Sequence, residues 1–176
     1  LINHNNQLLL KLINDVLEIS KIEAGHIELH SEWFNPAELI EESITEYERN
    51  VPAGVKLFAR YPAAPGQIEH DPMRIKQILN NFISNALKNT VQGHIEVYYE
   101  TDTDGIRISV SDTGCGIPPD KLGMIFERFE KVDSFAQGAG LGLSICKSIV
   151  EKMNGVITVD STMGVGSRSE ERRVGK

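Results

Sequence analysis

The sequence has few cysteines and aromatic residues and no long hydrophobic run. Its two cysteines, Cys115 and Cys146, are too few for a disulfide framework and lack the spacing of a metal site, which favours a reducing compartment. No run approaches the roughly 18 consecutive apolar residues of a membrane span. The first residues also lack the basic-then-apolar order of a signal peptide. We therefore expect this piece of protein to be soluble.

An excess of positive charge is also absent. The chain has 18 Lys and Arg residues against 25 Asp and Glu residues, a net charge of −7. This balance argues against a nucleic-acid binder that works by general phosphate neutralisation, although a few local donors can still hold a small phosphate ligand. Hydrophobic residues make up 40% of the 176 residues, which is enough for a core. We expect one domain with an appended element.

The first 25 residues, LINHNNQLLLKLINDVLEISKIEAG, repeat apolar residues at helical spacing and end at Gly25. A helix of this length is long for a small domain. Two interpretations are open. The helix packs on its own domain, or it forms half of a helical hairpin whose partner helix lies upstream. The width and length of the apolar stripe favour the second.

The later segments alternate between helices and strands. Asn35-Pro36 and Asp71-Pro72 each predict an N-cap followed by proline at the first helical position, opening helices that end near residues 50 and 89. Strands are predicted in VKLFARYP and GQIEH, a hairpin in GHIEVYYET and GIRISVSD, a helix in LGLSICKSIVEKMNG, and a strand in VITVDS. This order predicts an α/β fold with a mixed sheet and helices on one face.

The helix that starts after Asp71 carries polar residues beside its apolar face. Asn81 and Asn85 are four residues apart and project from the same side, and Lys88 lies beside Asn85. Carboxamide oxygens suit Mg²⁺, and a lysine ammonium suits phosphate. Alternatively, the asparagines only cap neighbouring backbone groups. Taken alone, the pattern favours that simpler role.

Asp112 ends a predicted strand and precedes the residues Thr113, Gly114, Cys115 and Gly116. An ionised carboxylate accepts hydrogen bonds, so in a pocket it can select an exocyclic amine such as that of adenine. The glycines let the main chain approach a flat ring. A solvated turn capped by the aspartate is the alternative, and D-x-G-x-G alone is a weak signal.

A third glycine-rich stretch, GAGLGLSI at residues 138–145, precedes and opens a helix. Free backbone N–H groups at such a start can bind an anion. A dinucleotide fingerprint would need a preceding strand, whereas here the polar stretch EKVDSFAQ precedes the glycines. The lysine-serine pair of a P-loop is also missing after them. A glycine-rich loop needed only for packing is the alternative.

Taken together and in this order, N-x-x-x-N-A-x-K, D-T-G-x-G-I, F-E-R-F and G-x-G-L-G-L resemble the N, G1, F and G2 boxes of sensor histidine kinases, especially hybrid two-component sensors. The resemblance covers about residues 1–166. It implies the two-layer α/β sandwich of the Bergerat-type ATP-binding fold, which gyrase, mismatch-repair and chaperone ATPases share, with a long N-terminal helix. It divides the chain into the second helix of the dimerisation hairpin at 1–25, the ATP-binding catalytic domain at 26–166 and an atypical tail at 167–176.

The resemblance implies ATP and Mg²⁺ as ligands and assigns residues to them. Asn85 would bind Mg²⁺, and Asn81 and Lys88 would lie at the phosphates as the catalytic residues. Asp112 would bind the adenine amino group. The residues expected to line the nucleotide around these four are Thr113, Gly114, Gly116, Ile117, Phe126, Phe129, Gly138, Gly140, Leu141, Gly142 and Leu143.

The resemblance also implies an ATP lid, with its body at about residues 127–139. Phe126 and Phe129 would anchor this lid. For Arg128 three roles stay open: contact with phosphate, pairing with the hairpin helix, or simple solvation.

None of the five histidines has the context of the family's phosphoacceptor, which lies on the first hairpin helix before an acidic residue. His70 precedes Asp71, but Pro72 follows at once. We expect structural histidines here, an acceptor on a helix missing from this chain, and no autophosphorylation by this fragment alone. The implied partners are that first helix, a response-regulator receiver domain and a second copy of the protein, without nucleic acid. The resemblance implies a cytoplasmic domain and leaves open whether the whole protein is anchored in the inner membrane.

Three functions are compared. The first is transfer of the ATP γ-phosphoryl group to a histidine, and the second is a pseudokinase that uses ATP only to set a conformation. The third is another ATPase of the superfamily, which would need a glutamate near the position of Asn81. The intact motifs argue against the second function, and the asparagine argues against the third.

The end of the sequence departs from the family pattern. STMGVGS resembles the final glycine box, but RSEERRVGK follows where an apolar, alternating last strand is expected. Either residues foreign to the protein replace that strand, or the strand is degenerate. We therefore expect one edge of the sheet to be exposed or abnormally paired.

Overall fold

The computed structural model describes residues 2–62, 66–102, 105–130 and 140–173. Within them the helices are α1 (Ile2–Glu23), α2 (Pro36–Tyr47), α3 (Pro72–Asn89) and α4 (Gly142–Lys152), and a 3₁₀ turn (Glu48–Asn50) follows α2. The strands are β1 (Glu32–Phe34), β2 (Val55–Arg60), β3 (Ile68–His70), β4 (Gly93–Asp102), β5 (Gly105–Asp112), β6 (Gly155–Thr162) and β7 (Gly166–Arg173).

Both helices predicted from an N-cap and a proline begin where the sequence indicates. The Asn35 side chain accepts a hydrogen bond from the amide of Ala37 at 3.0 Å. The Asp71 carboxylate accepts one from the amide of Arg74 at 3.0 Å and a second from the amide of His30 at 2.9 Å. Asp71 therefore caps α3 and also holds the segment that leads into β1.

The main sheet has the strand order β2-β4-β5-β7-β6. β2 runs parallel to β4, and the other neighbours are antiparallel. The predicted hairpin is formed by β4 and β5, with Ile95 opposite Asp112. The mixed sheet predicted from the sequence is confirmed.

The core lies between this sheet and helices α2, α3 and α4. Alternate residues of a strand point to one face, so every second side chain of β4 is available to it. The largest fully buried side chains are Tyr99, Phe82, Ile40, Ile75, Ile78, Leu79, Ile83, Ile95, Ile106, Ile108 and Leu141. The helices supply their apolar stripes to this layer, as their periodicity predicts.

A second sheet has two short antiparallel strands, β1 and β3, with Trp33 opposite Glu69. Both short strands predicted between α2 and α3 exist, but they belong to different sheets, because β2 pairs with β4 and β3 pairs with β1. β1 was not predicted, since three residues are too few to show an alternating pattern.

Strand β7 corrects the prediction for the end of the chain. Residues 166–173 pair with β5 on one side and with β6 on the other. The expectation of an exposed or abnormally paired edge at this strand is wrong, because β7 lies inside the sheet. Glu171 is 1% exposed and stands opposite Ile108 and Ile157. Backbone pairing on both sides forms this strand despite its charged sequence.

Helix α1 packs on the domain near its end and exposes apolar residues before that point. Ile19 and Ile22 lie against the core. Leu12 is half-buried, whereas the apolar side chains of Leu9, Leu10, Ile13, Val16 and Leu17 are 47–60% exposed. The last turns thus pack on their own domain, while the exposed face is what a hairpin helix would present to a partner. No helix in the described parts of the chain is long and apolar enough to cross a membrane.

Candidate nucleotide-binding site

The second half of α3 provides the polar face predicted from the sequence. Asn81 and Asn85 are half-buried and Lys88 is exposed, whereas Phe82 and Ile83 of the apolar face are buried in the core. The helix is therefore fixed by its apolar face, and its polar face is held at the border of the domain.

Asn81 also contacts α4. Its carboxamide hydrogen-bonds to the thiol of Cys146, which is fully buried. Burial, reinforced by the charge of Glu171, raises the pKa of this thiol. Cys146 is therefore a neutral core residue that helps to fix the orientation of Asn81, and it is not a reactive nucleophile.

Asp112 ends β5 with a half-buried carboxylate. The amide of Gly114 donates a hydrogen bond to its Oδ1 atom at 2.8 Å. Burial raises the pKa of the Asp112 carboxyl, and hydrogen bonds from the amides of Gly114 and Ser167 partly offset this rise. The carboxylate is thus held in place by backbone donors while remaining partly accessible, which suits an acceptor for a ligand amine.

The loop after Asp112 is attached directly to the end of α3. The amide of Cys115 donates to the carbonyl of Asn89 at 3.1 Å. A Cβ atom on Gly114 would lie 2.3 Å from that same carbonyl oxygen, so only glycine allows this approach. The loop therefore brings Asp112 to the end of the helix that carries Asn85 and Lys88.

Gly116 and Ile117 are held by the end of β6. Gly116 has φ +70°, and a Cβ atom there would lie 2.2 Å from the carbonyl oxygen of Thr162. The amide of Ile117 donates to the Ser161 hydroxyl at 2.8 Å. A side chain at Gly114 or Gly116 would thus collide with protein backbone, so packing of the loop is sufficient to explain both glycines.

The Thr113 hydroxyl is used inside the protein. It accepts a hydrogen bond from the amide of His94 at 2.9 Å and donates to the His94 carbonyl at 3.3 Å. The predicted contact of this hydroxyl with a ligand would require it to leave these bonds. In this structure Thr113 instead ties the loop to the start of β4.

The two predicted lid anchors differ in burial. Phe126 is half-buried, whereas the Phe129 ring is 68% exposed on a backbone with φ +64°. Burial therefore anchors Phe126 and not Phe129 in this structure. The Phe129 amide nevertheless donates to the carbonyl of Gly140 at 3.1 Å. The body of the predicted lid lies largely outside the described residues, as does Gly138.

The residues that lead into α4 meet both the F-E-R-F stretch and α3. Gly140 has φ +70°, and a Cβ atom there would lie 2.5 Å from the Glu130 carbonyl oxygen. A Cβ atom on Gly142 would lie 2.9 Å from Asn81 Oδ1. Leu141 is 1% exposed, so its side chain belongs to the core. Leu143 is half-buried.

Three separated sequence motifs therefore meet at one border of the domain. Helix α3 contacts the loop after Asp112 through Asn89 at its end, and it contacts Gly142 at the start of α4 through Asn81 near its middle. Asn89 was not among the predicted residues. Its position one residue after Lys88, at the end of the helix, is the only sequence signal for this contact, since any residue there would offer the same carbonyl.

The chain is similar to proteins of one family. A sequence profile described as histidine kinase-, DNA gyrase B-, and HSP90-like ATPase matches residues 70–171. The sensor histidine kinase RcsC of Escherichia coli K12 is 37% identical over 173 residues, which are 94% of this chain and 18% of RcsC. The non-motile and phage-resistance protein of Caulobacter vibrioides is 39% identical over 176 residues, covering 94% of this chain and 21% of that protein. This chain thus spans about a fifth of the length of these relatives.

Solved structures of histidine kinases have a similar fold. Full-length ShkA in complex with AMPPNP superposes with a TM-score of 0.86 at 32% identity, over 93% of this chain and 35% of that one. The catalytic domain of the histidine kinase ThkA superposes with a TM-score of 0.73 at 28% identity, over 82% of this chain and 97% of that one. The two-layer arrangement of a mixed sheet and helices is thus shared with histidine kinase catalytic domains.

Proposed function

The chain belongs to the family of histidine kinase-, DNA gyrase B- and HSP90-like ATPases and contains the ATP-binding catalytic domain of a sensor histidine kinase; from this we propose that it transfers the γ-phosphoryl group of ATP to a histidine on a helix outside this chain. The observation that supports the proposal is that three sequence motifs lie together at one border of the domain. Asp112, the polar face of α3 and the start of α4 are held together by direct contacts.

Each part has a distinct task in this proposal. Asp112 accepts a hydrogen bond from the adenine amino group, and Lys88 offers a cation to the phosphates. Asn81 lies on α3 beside the start of α4, where its carboxamide can bind phosphate oxygens or their waters. Phosphoryl transfer needs mainly positioning and charge stabilisation, and these residues supply both.

The residues present fit a magnesium ion that is bound together with the nucleotide. Among the described residues, no group of three His, Cys, Asp or Glu side chains could hold a metal by itself. Asn85 offers a neutral, half-buried carboxamide oxygen, and Mg²⁺ is commonly bound by few protein ligands together with substrate phosphates. When bound, Mg²⁺ would neutralise charge on the phosphates, and Asn85 is the residue that would hold it.

Helix α1 is proposed to be the second helix of a dimerisation hairpin, and the catalytic domain to extend from residue 26 through β7. Support comes from the exposed apolar face of α1, which carries Leu9, Ile13 and Val16. The proposed partners are the first hairpin helix, a second copy of the protein and a receiver domain, as hybrid kinases require. Because Ile19 and Ile22 pack on the core, deletion of residues 1–22 would also damage the domain. Replacing the three exposed residues by glutamine and measuring sedimentation tests dimerisation without that damage.

One experiment separates phosphotransfer from the two alternative functions. This chain is mixed with a separately expressed hairpin-helix peptide that carries the acceptor histidine, and ATP labelled at the γ-phosphate is added. Label on the peptide histidine is the expected result. Nucleotide binding without transfer would instead identify a regulatory module, and rapid release of labelled phosphate would identify a hydrolytic ATPase.

A further inference from the structure

Two ion pairs link α1 to the catalytic domain, in addition to the apolar packing of the helix on the core. Glu18 pairs with Arg74 in the first turn of α3, and Arg74 also donates to the Gln77 side chain at 2.9 Å. Glu23, in the last turn of α1, pairs with Arg128. Arg128 belongs to the F-E-R-F stretch, so its partner lies 105 positions away in the sequence. The end of α1 is thus attached to the first residues of the predicted lid.

Arg128 precedes Phe129, whose backbone contacts residues at the candidate nucleotide site. The Phe129 amide donates to the Gly140 carbonyl, and Gly140 packs against the Glu130 carbonyl. We call these three residues, Phe129, Glu130 and Gly140, the lid junction. Two positions later, Gly142 lies against Asn81 Oδ1. Contiguous contacts therefore run from Glu23 through Arg128 and the lid junction to Asn81.

We propose that Glu23 and Arg128 are positioning residues for nucleotide binding: their ion pair holds the lid junction, and through it the start of α4, against Asn81. This inference rests on the proposed function, because it concerns the same Mg-ATP site. Arg128 acts here through Glu23 and the backbone, and not by touching phosphate. By linkage, nucleotide binding and the docking of the end of α1 then stabilise each other.

The expected effect is modest because the pair is accessible to solvent. The side chains of Glu23 and Arg128 are 59% and 42% exposed. Exposed ion pairs contribute little, and charge reversal of either residue should therefore weaken Mg-ATP binding by no more than about 5-fold. Salt screens such pairs, so the difference from wild type should shrink as ionic strength rises.

A charge-swap cycle on this chain tests the proposal. Mg-ATP affinity is measured by calorimetry for the wild type, Glu23→Arg, Arg128→Glu and the double variant. We expect each single variant to bind more weakly and the double variant to regain wild-type affinity. Arg60 and Glu96 form a matched control pair on β2 and β4, and swapping them should leave the affinity unchanged.

The contrary results have distinct meanings. If Arg128→Glu alone weakens binding and the double variant does not recover, Arg128 touches phosphate directly and the proposal is overturned. Unchanged affinity in all variants also overturns it. If a charge reversal unfolds the chain, as circular dichroism would show, the neutral variants Glu23→Gln and Arg128→Gln replace it in the same cycle. Failure of the wild type to bind Mg-ATP would instead overturn the proposed function.

Discussion

Asn81 Oδ1 lies 2.9 Å from the position that a Cβ atom would occupy on Gly142. This close approach joins the polar face of α3 to the first residue of α4. It explains in physical terms why the G-x-G-L-G-L stretch has glycine at this position. The glycine allows the Asn81 carboxamide to stay at the border where phosphates are proposed to bind.

Gly142→Ala should weaken Mg-ATP binding without unfolding the domain. The added methyl group must displace the end of the Asn81 side chain, and loss of one hydrogen bond from its carboxamide, worth about 0.5–1.5 kcal/mol, should weaken Mg-ATP binding about 2- to 13-fold. The gain in helix propensity offsets part of the loss in stability. Calorimetric titration and thermal unfolding measure the two effects separately. Gly123→Ala is the control, because nothing lies within 4 Å of its Cβ position; equal affinities of the two variants would contradict the account.

Asn85→Ala should abolish the Mg²⁺-dependent part of ATP binding and leave the fold intact. The side chain is half-buried on the polar face of α3, so its loss leaves no core cavity. Titrations with ATP are made in Mg²⁺ and in EDTA. Wild type and variant should differ in Mg²⁺ and agree in EDTA. If the variant bound ATP in Mg²⁺ as tightly as wild type, Asn85 would not belong to the site.

Much of the fold follows from local sequence signals. The N-cap bonds of Asn35 and Asp71, the β4–β5 hairpin and the apolar faces of α3 and α4 arise from contacts that short patterns encode. The motif spacing also predicts Asp112, Asn81 and Asn85 as ligand-binding residues, because each occupies a fixed place in a box. Their convergence could be expected only from the family resemblance.

The features that were missed depend on tertiary contacts. β7 has no alternating pattern, and its position is set by pairing with two neighbours and by Glu170, which pairs with Arg107 at 3.2 Å and Arg168 at 3.1 Å. The Glu23–Arg128 pair joins residues far apart in sequence, so no local pattern reveals it. The same holds for the packing of Thr113 on β4.

The raised pKa of Asp112 predicts a pH dependence of ATP binding. The ionised carboxylate accepts the adenine amino group more strongly than the protonated acid does, so affinity should fall as the pH is lowered through a pKa above the usual value of about 3.9. In the empty protein the same shift has the opposite consequence: ionisation of this half-buried group reduces stability as the pH rises through that pKa. Asp112→Asn should lack both steps. Subtracting its pH profile from that of wild type removes the titration of the nucleotide phosphates, and no remaining step would contradict the assignment.

The central claim, that this border binds ATP with Asp112 reading adenine, is tested most directly by titrating wild type and Asp112→Asn with Mg-ATP and Mg-GTP. Guanine presents a carbonyl acceptor where adenine presents an amino donor, so wild type should bind ATP much more tightly than GTP. A charged hydrogen bond contributes about 1.5–3 kcal/mol, so the variant should bind ATP about 10- to 150-fold more weakly. Its carboxamide can turn an NH₂ group toward the carbonyl, so its preference for ATP should shrink. Equal binding of ATP and GTP by the wild type would show that Asp112 is only a turn residue.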